Sequence, residues 1–341
     1  MKTKCPNCGG KIAYNPATQE LHCDHCGSMI IIKAALQNNE KHIYSQKSAL
    51  KEQKTNVYHC NSCNSNLVIS GDSSVSRCPN CGSKDLSPQN KSFFTPDAIL
   101  PFSITKEKAV EIFQQFISKG AFLPNDLSKM AQLGKLSGTY IPVYVYDTKT
   151  STTYSGTGVD HKEDSDGNSY NSYTHFSGTL QNDYRNVFIS GNNSFETATI
   201  QKLVPWDLGA LRVYDDAYLF GFIASDVNIG LHQSYLNFKS RINELELQDI
   251  KHKHRHDEYR DMRILTSFIE PKYNYISLPV YANYYTYKDQ KYKIYINGST
   301  GKIIGRKPRS WRKILGLVFG ILGGIAAVVG LALGLTLGLT I

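Results

Sequence analysis

Eight cysteines, all within the first 81 residues, constrain the fold of this chain more than any other feature of its sequence. They form four C-x2-C pairs, which combine into two units with fourteen residues between the pairs of each unit. The first unit contains Cys5, Cys8, Cys23 and Cys26, and the second contains Cys60, Cys63, Cys78 and Cys81. Identical spacing in two copies indicates a duplicated module and argues against unpaired or redox-active cysteines.

This spacing predicts two zinc sites. Four thiolates complete the tetrahedral shell of Zn²⁺, and a C-x2-C turn places two sulfurs on one side of the metal. Fourteen residues are enough for a β-hairpin that returns the second pair to the same ion, and units this small need metal binding to fold. We therefore expect two structural Zn²⁺ ions, each held by four thiolates, with no open position for catalysis. Reduced thiols that bind metal indicate a reducing compartment better than disulfides do.

The C-terminal tail is the second strong feature. Residues Ile314 to Ile341 contain no charged side chain, and 28 residues extend about 42 Å as a helix, against about 30 Å for a bilayer core. The tail follows a basic cluster at residues 306–313, which supplies five of the net charge of +9. Because positive charge marks the cytoplasmic side, we expect a single-pass protein of the cell membrane with its N-terminal part in the cytoplasm. No N-terminal signal peptide is expected, since the first residues lead directly into a cysteine pair.

Glycines recur every four residues within this apolar tail, at Gly316, Gly320 and Gly324 and again at Gly330, Gly334 and Gly338. Such a ridge of small residues allows another helix to approach closely. The pattern predicts self-association of the chain through the transmembrane glycines. The alternative is that glycine is simply frequent in membrane helices.

The region between the cysteine units and the tail has the pattern of an α+β domain with antiparallel strands. A helix is expected over "SITKEKAVEIFQQFISKG", with Ser103 or Thr105 as its N-cap and Gly120 after its end. A long helix is expected from about Asp226 to His256, and two strands joined at "KDQ" close the domain. The polar stretch "GVDHKEDSDGN" reads as an exposed loop. The histidines of "KHKHRHDEYR" alternate at spacing two, which is typical of a solvated helix end and not of a metal site.

The predicted fold class is therefore α+β, with two small N-terminal zinc ribbons, a central α+β domain and one C-terminal transmembrane helix. The predicted segments are zinc ribbons at 1–32 and 56–84, linkers at 33–55 and 85–99, the α+β domain at 100–305, the basic juxtamembrane segment at 306–313 and the transmembrane helix at 314–341.

Three parts of the sequence together resemble a known family. These are the cysteine units, the stretch "LPFSITKEKAVEIFQQFI" followed by "GTYIPVYVYD", and the stretch "LPVYANYYTYKDQKYKIYINGSTGKIIGRKP". The chain resembles the TFIIB-type zinc-ribbon membrane proteins of Gram-positive bacteria. The resemblance implies partners that are phage-shock-protein-A-like and flotillin-like proteins, and a role in recruiting them to the membrane during envelope stress. Of the site residues, it transfers only the eight cysteines.

Two functions follow from these observations. The first is a membrane-anchored interaction scaffold that is not an enzyme, because no recognised catalytic motif is present. The alternative is a membrane-tethered nucleic-acid-binding protein, since basic and aromatic residues lie in the cysteine units: Lys2, Lys4, Lys11, Tyr14, Tyr58, Arg77 and Lys84. Their density is ordinary for a solvated surface, so we expect the scaffold.

Overall fold

The computed structural model of the chain describes residues 4–36, 41–42, 51–54, 56–69, 77–79, 81–89, 92–133 and 136–338. Parts of the two predicted linkers, together with Lys2 and residues 339–341 of the predicted tail, therefore lie outside the described residues.

The first cysteine unit forms a three-stranded antiparallel sheet, and we call residues 4–32 the first cysteine module. Its strands are β1 (Ile12–Asn15), β2 (Glu20–Cys23) and β3 (Met29–Ile30). Inward and outward positions alternate along β1 and β2, so that Ile12, Tyr14, Leu21 and Cys23 are buried on one face. This alternation is the period of a half-buried strand.

The second cysteine unit lies among short strands, and we call residues 56–69, 77–79 and 81–89 the second cysteine module. The strands from here to the central region are β4 (Lys41–His42), β5 (Lys51–Lys54), β6 (Asn56–Cys60), β7 (Asn66–Ile69), β8 (Leu86–Gln89), β9 (Ser92–Thr95) and β10 (Ala98–Ile99). Strands β5 and β9 pair as a separate two-stranded sheet.

The central region alternates helices with strands of very different lengths. Its elements are α1 (Lys106–Ser118), α2 (Leu127–Met130), β11 (Gln132–Leu133), β12 (Ser137–Glu163), β13 (Ser169–Ser190), α3 (Thr197–Lys202), β14 (Arg212–Val213), β15 (Ile223–Ser225), α4 (Leu231–Lys253), β16 (Glu258–Tyr287), β17 (Gln290–Asn297), β18 (Ile303–Gly305) and α5 (Trp311–Gly338).

A thirteen-stranded sheet joins the second module to the central region. Its main order is β14-β10-β16-β12-β15-β7-β6-β8, with five further strands attached at its sides. Most pairs are antiparallel, but β10 with β16 and β12 with β15 are parallel. The pairing of β15 with β7 places the second cysteine module within this sheet.

The predicted fold class needs correction on this evidence. The fold is mixed α/β with large sheets and, among the described residues, five α-helices. The sequence predicts small ribbons next to a separate α+β domain. In the structure, strands β6, β7 and β8 of the second cysteine module instead extend the central sheet. Short edge strands have unpaired backbone groups, and the pairing of β7 with β15 satisfies those of β7.

The predicted transmembrane helix is also wrong. The C-terminal segment forms helix α5, but no helix in the described part of the chain is both long enough and apolar enough to cross a lipid bilayer. The predicted localisation as a single-pass protein of the cell membrane is therefore also wrong. Self-association of the chain through the tail glycines stays a prediction, but no longer one that places these glycines in a membrane.

The basic segment before α5, predicted as a membrane-flanking cluster, packs against the central region. The Nζ of Lys307 donates to the carbonyl of Lys119 at 2.8 Å and lies 4.0 Å from the ring centroid of Phe116. The amide of Ser310 donates to the carbonyl of Phe122 at 2.7 Å. Burial against α1 lowers the pKa of Lys307.

Helix α1 confirms its sequence prediction. The side chain of Thr105 is the N-cap and accepts a hydrogen bond from the amide of Lys108 at 3.2 Å. Of its apolar positions, Ala109, Phe113 and Ile117 are buried, at the spacing of one helix face.

Helix α4 covers one face of a long antiparallel arm formed by β12, β13 and the first half of β16. Its buried residues recur every four positions: Ser234, Phe238, Ile242, Glu246 and Ile250. The buried carboxylate of Glu246 accepts from Thr150 Oγ1 at 2.5 Å and from Asn182 Nδ2 at 3.2 Å. The predicted long helix is confirmed, although it is shorter at both ends than expected.

The polar stretch at 158–168 and the histidines after α4 differ from their predictions. Most of the expected loop continues strand β12, and only the turn at Asp164–Asn168 connects it to β13. The ring of His254 stacks on Phe176 at 4.4 Å, and His256 Nδ1 lies 3.0 Å from a carboxylate oxygen of Asp160. These two histidines therefore pack into the arm, and they do not form a solvated helix end.

Candidate metal centres

The structure brings the eight predicted cysteines together as two groups of four. In the first group, the sulfur of Cys5 lies 3.6 Å from that of Cys26, and the sulfur of Cys8 lies 3.5 Å from that of Cys23. In the second, the distances are 3.5 Å from Cys60 to Cys81 and 3.6 Å from Cys63 to Cys78. All four sulfurs of each group lie within 4.8 Å of one another, so each group could hold a metal ion.

These distances fit a tetrahedral thiolate site. With a metal–sulfur bond of about 2.3 Å, the edge of a tetrahedron of sulfurs is about 3.8 Å. The observed 3.5–3.6 Å is slightly shorter and too long for a disulfide, whose sulfurs are about 2.05 Å apart. The donor set is complete in both groups, and it leaves no place for a substrate or a water ligand.

A repeated turn builds each half of each site. In all four C-x2-C pairs, the residue that follows the second cysteine has a positive φ and donates its amide to the carbonyl of the first cysteine at 2.8–2.9 Å; these residues are Gly9, Gly27, Asn64 and Gly82. Glycine and asparagine tolerate this left-handed conformation better than other residues do. The sequence prediction overlooked this turn, although the signal is visible as C-x2-C followed by Gly or Asn.

The next residue completes the turn, and Gly10 shows how tightly it encloses the metal site. The amide of Cys5 donates to the carbonyl of Gly10 at 2.8 Å, and the amide of Gly10 lies 3.4 Å from the sulfur of Cys8. A Cβ at Gly10 would lie 2.9 Å from His25 Cβ and 3.3 Å from the sulfur of Cys23. Amides directed at thiolates stabilise their negative charge.

Burial alternates within the cysteine pairs. The first cysteine of each pair is buried, whereas the second is exposed in the first module and half-buried in the second. Each site therefore has an inner side that belongs to the module core and an outer side close to solvent. In the second module, the inner cysteines Cys60 and Cys78 form a small buried cluster with Leu67.

The thiols of one group strongly influence each other. Hydrogen bonds from the hydroxyl and amide of Ser28, and then from Cys8, lower the pKa of Cys26 to about 6. The amide of Gly10 lowers the pKa of Cys8, but the neighbouring Cys26 thiol and burial raise it to about 12. Four sulfurs this close cannot all carry charge without a cation, and a bound divalent ion removes this conflict.

The same pattern appears in the second group. Burial opposes ionisation of Cys63, but hydrogen bonds with Ser65 lower its pKa. Burial and the neighbouring thiols raise the pKa of Cys81 to about 11. Each group therefore combines thiols with lowered and raised pKa values, as expected for four neighbouring groups that compete for negative charge.

The histidines near the cysteines are directed elsewhere. His22 Nδ1 lies 3.5 Å from a carboxylate oxygen of Asp24, and His59 Nδ1 lies 2.9 Å from Asn66 Oδ1. Neither belongs to a metal-binding group among the described residues.

Tyr14 attaches the first module to the central region. Its ring contacts Tyr218 at 5.3 Å and Phe222 at 6.2 Å, and its hydroxyl donates to the carbonyl of Phe102 at 3.0 Å. The amide of Tyr14 also donates to the carbonyl of Phe220 at 2.9 Å. The first metal group and the central core therefore belong to one packed cluster.

The aromatic residues named for nucleic-acid binding do not form a stacking surface. Tyr14 is 4% exposed, so its faces are not available to bases. Tyr58 is half-buried and packs against the cysteines of the second group. Base stacking requires an exposed aromatic face.

The chain is similar to the uncharacterized protein YdjG of Bacillus subtilis (strain 168), with 25% identity over 317 residues, which cover 91% of each protein. No protein-family model matches the chain, and no solved structure matches it. The similarity therefore extends over nearly the whole length of both proteins. Because YdjG is uncharacterized, the similarity does not indicate an activity.

Proposed function

We propose that the chain is a zinc-stabilised interaction scaffold, a protein that binds other proteins and catalyses no reaction. The observation that carries this proposal is the pair of complete four-thiol groups, each built into the packed structure through its inner cysteines. A complete thiolate shell stabilises a fold but offers no open position for chemistry. Zinc is the proposed metal because four thiolates in a tetrahedral arrangement are typical of structural zinc.

Both cysteine modules are packed against the central region, which favours a preorganised scaffold over modules carried on flexible tethers. The first module shares a core with the central region through Tyr14, and the second shares the thirteen-stranded sheet through β7 and β15. A surface composed from all three parts is held in one arrangement before a partner arrives. Such preorganisation reduces the entropy cost of binding.

The proposed partners come from the resemblance to TFIIB-type zinc-ribbon proteins. They are phage-shock-protein-A-like and flotillin-like proteins, with a role in the response to envelope stress. The similarity to YdjG over nearly the whole chain is compatible with this family, and the two cysteine modules supply the residues that define it.

Nuclease-treated affinity purification of the full-length protein from its own cells tests the proposal. Partners identified by mass spectrometry are compared between the wild type and a Cys60→Ser/Cys63→Ser variant. Ser62→Ala is the matched control, because Ser62 lies in the same turn, is exposed and is not a metal ligand. We expect protein partners that survive nuclease, persist with the control and decrease with the cysteine variant. Partners that disappear with nuclease while nucleic acid copurifies would contradict the proposal.

A further inference from the structure

A cleft of about 1110 Å³ lies between the two cysteine modules and the central region. The first module contributes Tyr14 and Asp24, the second contributes Arg77 and Cys81, and the central region contributes Phe222 among others. It is slightly larger than the upper end of the range of about 300–1,000 Å³ typical of small-ligand pockets. All three parts of the protein are needed to form it.

The rim of this cleft carries an excess of positive charge. Arg77, Lys106 and Lys291 line it and are exposed, whereas the carboxylates that line it are Asp24 and Glu107. Within the described part of the chain, neither Lys106 nor Lys291 forms an ion pair with a carboxylate. Lys106 is also the first residue of α1, where the helix dipole adds positive potential. The rim therefore attracts acidic groups.

Polar groups suited to a peptide backbone continue from this cleft into a smaller one. The second cleft, of about 400 Å³, shares Cys81 and Tyr284 with the first and is lined by the amide side chains of Asn64, Asn193 and Asn228. In the first cleft, the amide nitrogen of Asn283 is buried and has no hydrogen-bond partner among the described residues. Side-chain amides pair with both the N–H and the C=O groups of an extended chain. Because the two clefts adjoin at Cys81 and Tyr284, a peptide segment could contact both.

The walls fit a peptide better than a nucleic acid. Asp24 and Glu107 lie among the three cations of the rim, and this mixed pattern suits a peptide with a few separated acidic side chains better than a continuous phosphate backbone. The aromatic floor gives no stacking face, because Phe222 is 9% exposed and is itself stacked on Phe102 at 4.2 Å. The half-buried apolar residues Leu133 and Ile223 line the same cleft and can contact apolar side chains of a peptide.

We propose that this cleft binds an extended, acidic polypeptide segment of a partner protein. This inference rests on the proposed function and names the partner chemistry and its binding site. Acidic side chains pair with the lysines and the arginine of the rim, apolar side chains contact Leu133 and Ile223, and the backbone bonds to the asparagine amides. Because charge pairs at the rim are partly solvated, they contribute mainly to association and specificity.

The test uses a phage-displayed library of random twelve-residue peptides, selected on the metal-loaded full-length protein. Affinities of the selected peptides are measured by fluorescence anisotropy for the wild type and for Lys106→Glu/Lys291→Glu. The matched control is Lys162→Glu/Lys202→Glu, which makes the same change in charge at exposed residues that do not line the cleft. All four side chains are exposed, so the variants are expected to fold.

We expect the selected peptides to be rich in Asp and Glu. Their affinity should fall by about tenfold or more in the cleft variant and change by less than about twofold in the control. Equal affinity of wild type and cleft variant, or selection of no peptide, would overturn the inference. Tighter binding of oligothymidylate, in competition with the peptides, would also overturn it and assign the cleft to nucleic acid.

The copurification described above separates failure of the cleft from failure of the scaffold. If nuclease-resistant partners persist with Lys106→Glu/Lys291→Glu, the scaffold stands and the cleft inference falls. If the nuclease-resistant partners are lost from this variant but retained by the control variant, both the scaffold proposal and the cleft inference are supported. If the wild type has no protein partner, the scaffold proposal falls, whatever the peptides do.

Discussion

At the scale of single residues, Tyr14 attaches the first cysteine module to the central region. Its ring lies among Tyr218 and Phe222, and its hydroxyl donates to the carbonyl of Phe102. Both its aromatic surface and its hydrogen bond are used inside the protein. Removing this one side chain should therefore destabilise both the first cysteine module and the central region.

Tyr14→Ala should lower the free energy of unfolding by about 3–5 kcal/mol, because it removes a buried ring and leaves a cavity. Tyr14→Phe keeps the ring and loses only the hydrogen bond, so its cost should be about 1–2 kcal/mol. Urea unfolding followed by tyrosine fluorescence and circular dichroism measures both. Equal costs for the two variants would show that ring packing does not attach the module.

His254 makes the long arm sensitive to pH. Burial, and then the positive charge of Lys253 and His256, lower its pKa below the ordinary histidine value of about 6.5. Since its pKa is depressed in the folded state, its share of stability is complete above about 6.5 and is lost as the pH falls through the folded pKa. Protonation would charge a ring that stacks on Phe176 and lies 3.0 Å from the hydroxyl of Tyr154.

We therefore expect amide protection factors in β13, corrected for intrinsic exchange, to decrease below about pH 6.5 in the wild type. His254→Phe keeps the stack and removes the titration, so its protection should depend less on pH in this range. His161 acts with the opposite sign, because a hydrogen bond with Asn171 and the charge of Glu258 raise its pKa, and its stabilisation is lost at higher pH. An identical acid dependence in wild type and His254→Phe would contradict this account.

The residues of the metal centres divide into those that spacing could predict and those that it could not. The eight cysteines were predicted because two identical sets of spacings leave few other arrangements. The left-handed residues after each pair, such as Gly9 and Asn64, follow from backbone geometry that a ligand count does not include. His254 and His256 were expected in solvent, because a local periodicity cannot show that β13 would bring Phe176 against them.

Helix α4 is the element that supports the arm. Phe238 has no exposed surface and stacks on Tyr146 at 4.5 Å, and Glu246 bonds to Thr150 and Asn182 on the two strands beneath it. An antiparallel ribbon of this length would be marginal without a covering helix.

Phe238→Ala should therefore lower the free energy of unfolding by about 3–5 kcal/mol. Leu236→Ala on the same helix is the control, because Leu236 is exposed and its loss should cost less than about 0.5 kcal/mol. Hydrogen exchange should also increase across the arm in Phe238→Ala. A loss of protection confined to α4 itself would show that the arm does not depend on it.

At this scale, local patterns predicted the helices better than the strands. Helix α1 has a capping residue and a regular apolar face, and both are visible in the sequence. Strand β12 continues to Glu163 through residues that look like a loop, because pairing with β13 and β16 decides their conformation. Strand pairing is non-local, and residue preferences describe it poorly.

At the scale of the whole molecule, the two cysteine modules are joined to one core, which residue spacing could not show. The first module shares its apolar cluster with the central region, and the second extends the central sheet. The C-terminal segment was the clearest error of the sequence interpretation, since no described helix meets the requirements of a membrane span. Composition alone gave no indication that the basic segment before it packs on α1.

Loss of metal from the second module should therefore destabilise the central sheet as well. Structural zinc contributes about 10–16 kcal/mol of binding free energy in small modules. Because β7 of the second module pairs with β15, part of this free energy should also stabilise the central sheet. We expect Cys60→Ser to lower the melting temperature of the cooperative transition, and Ser62→Ala to leave it nearly unchanged. A separate early transition, with the main transition unmoved, would show that the module folds independently of the sheet.

The most direct test of the central claim is the metal content and ligand set of the full-length protein, purified under reducing conditions. Inductively coupled plasma mass spectrometry counts the ions, and X-ray absorption at the zinc edge identifies their ligands. The account predicts two zinc ions per chain, four sulfur ligands for each, and one ion in Cys60→Ser. Fewer than two ions in the wild type, or nitrogen or oxygen in the coordination shell, would contradict it.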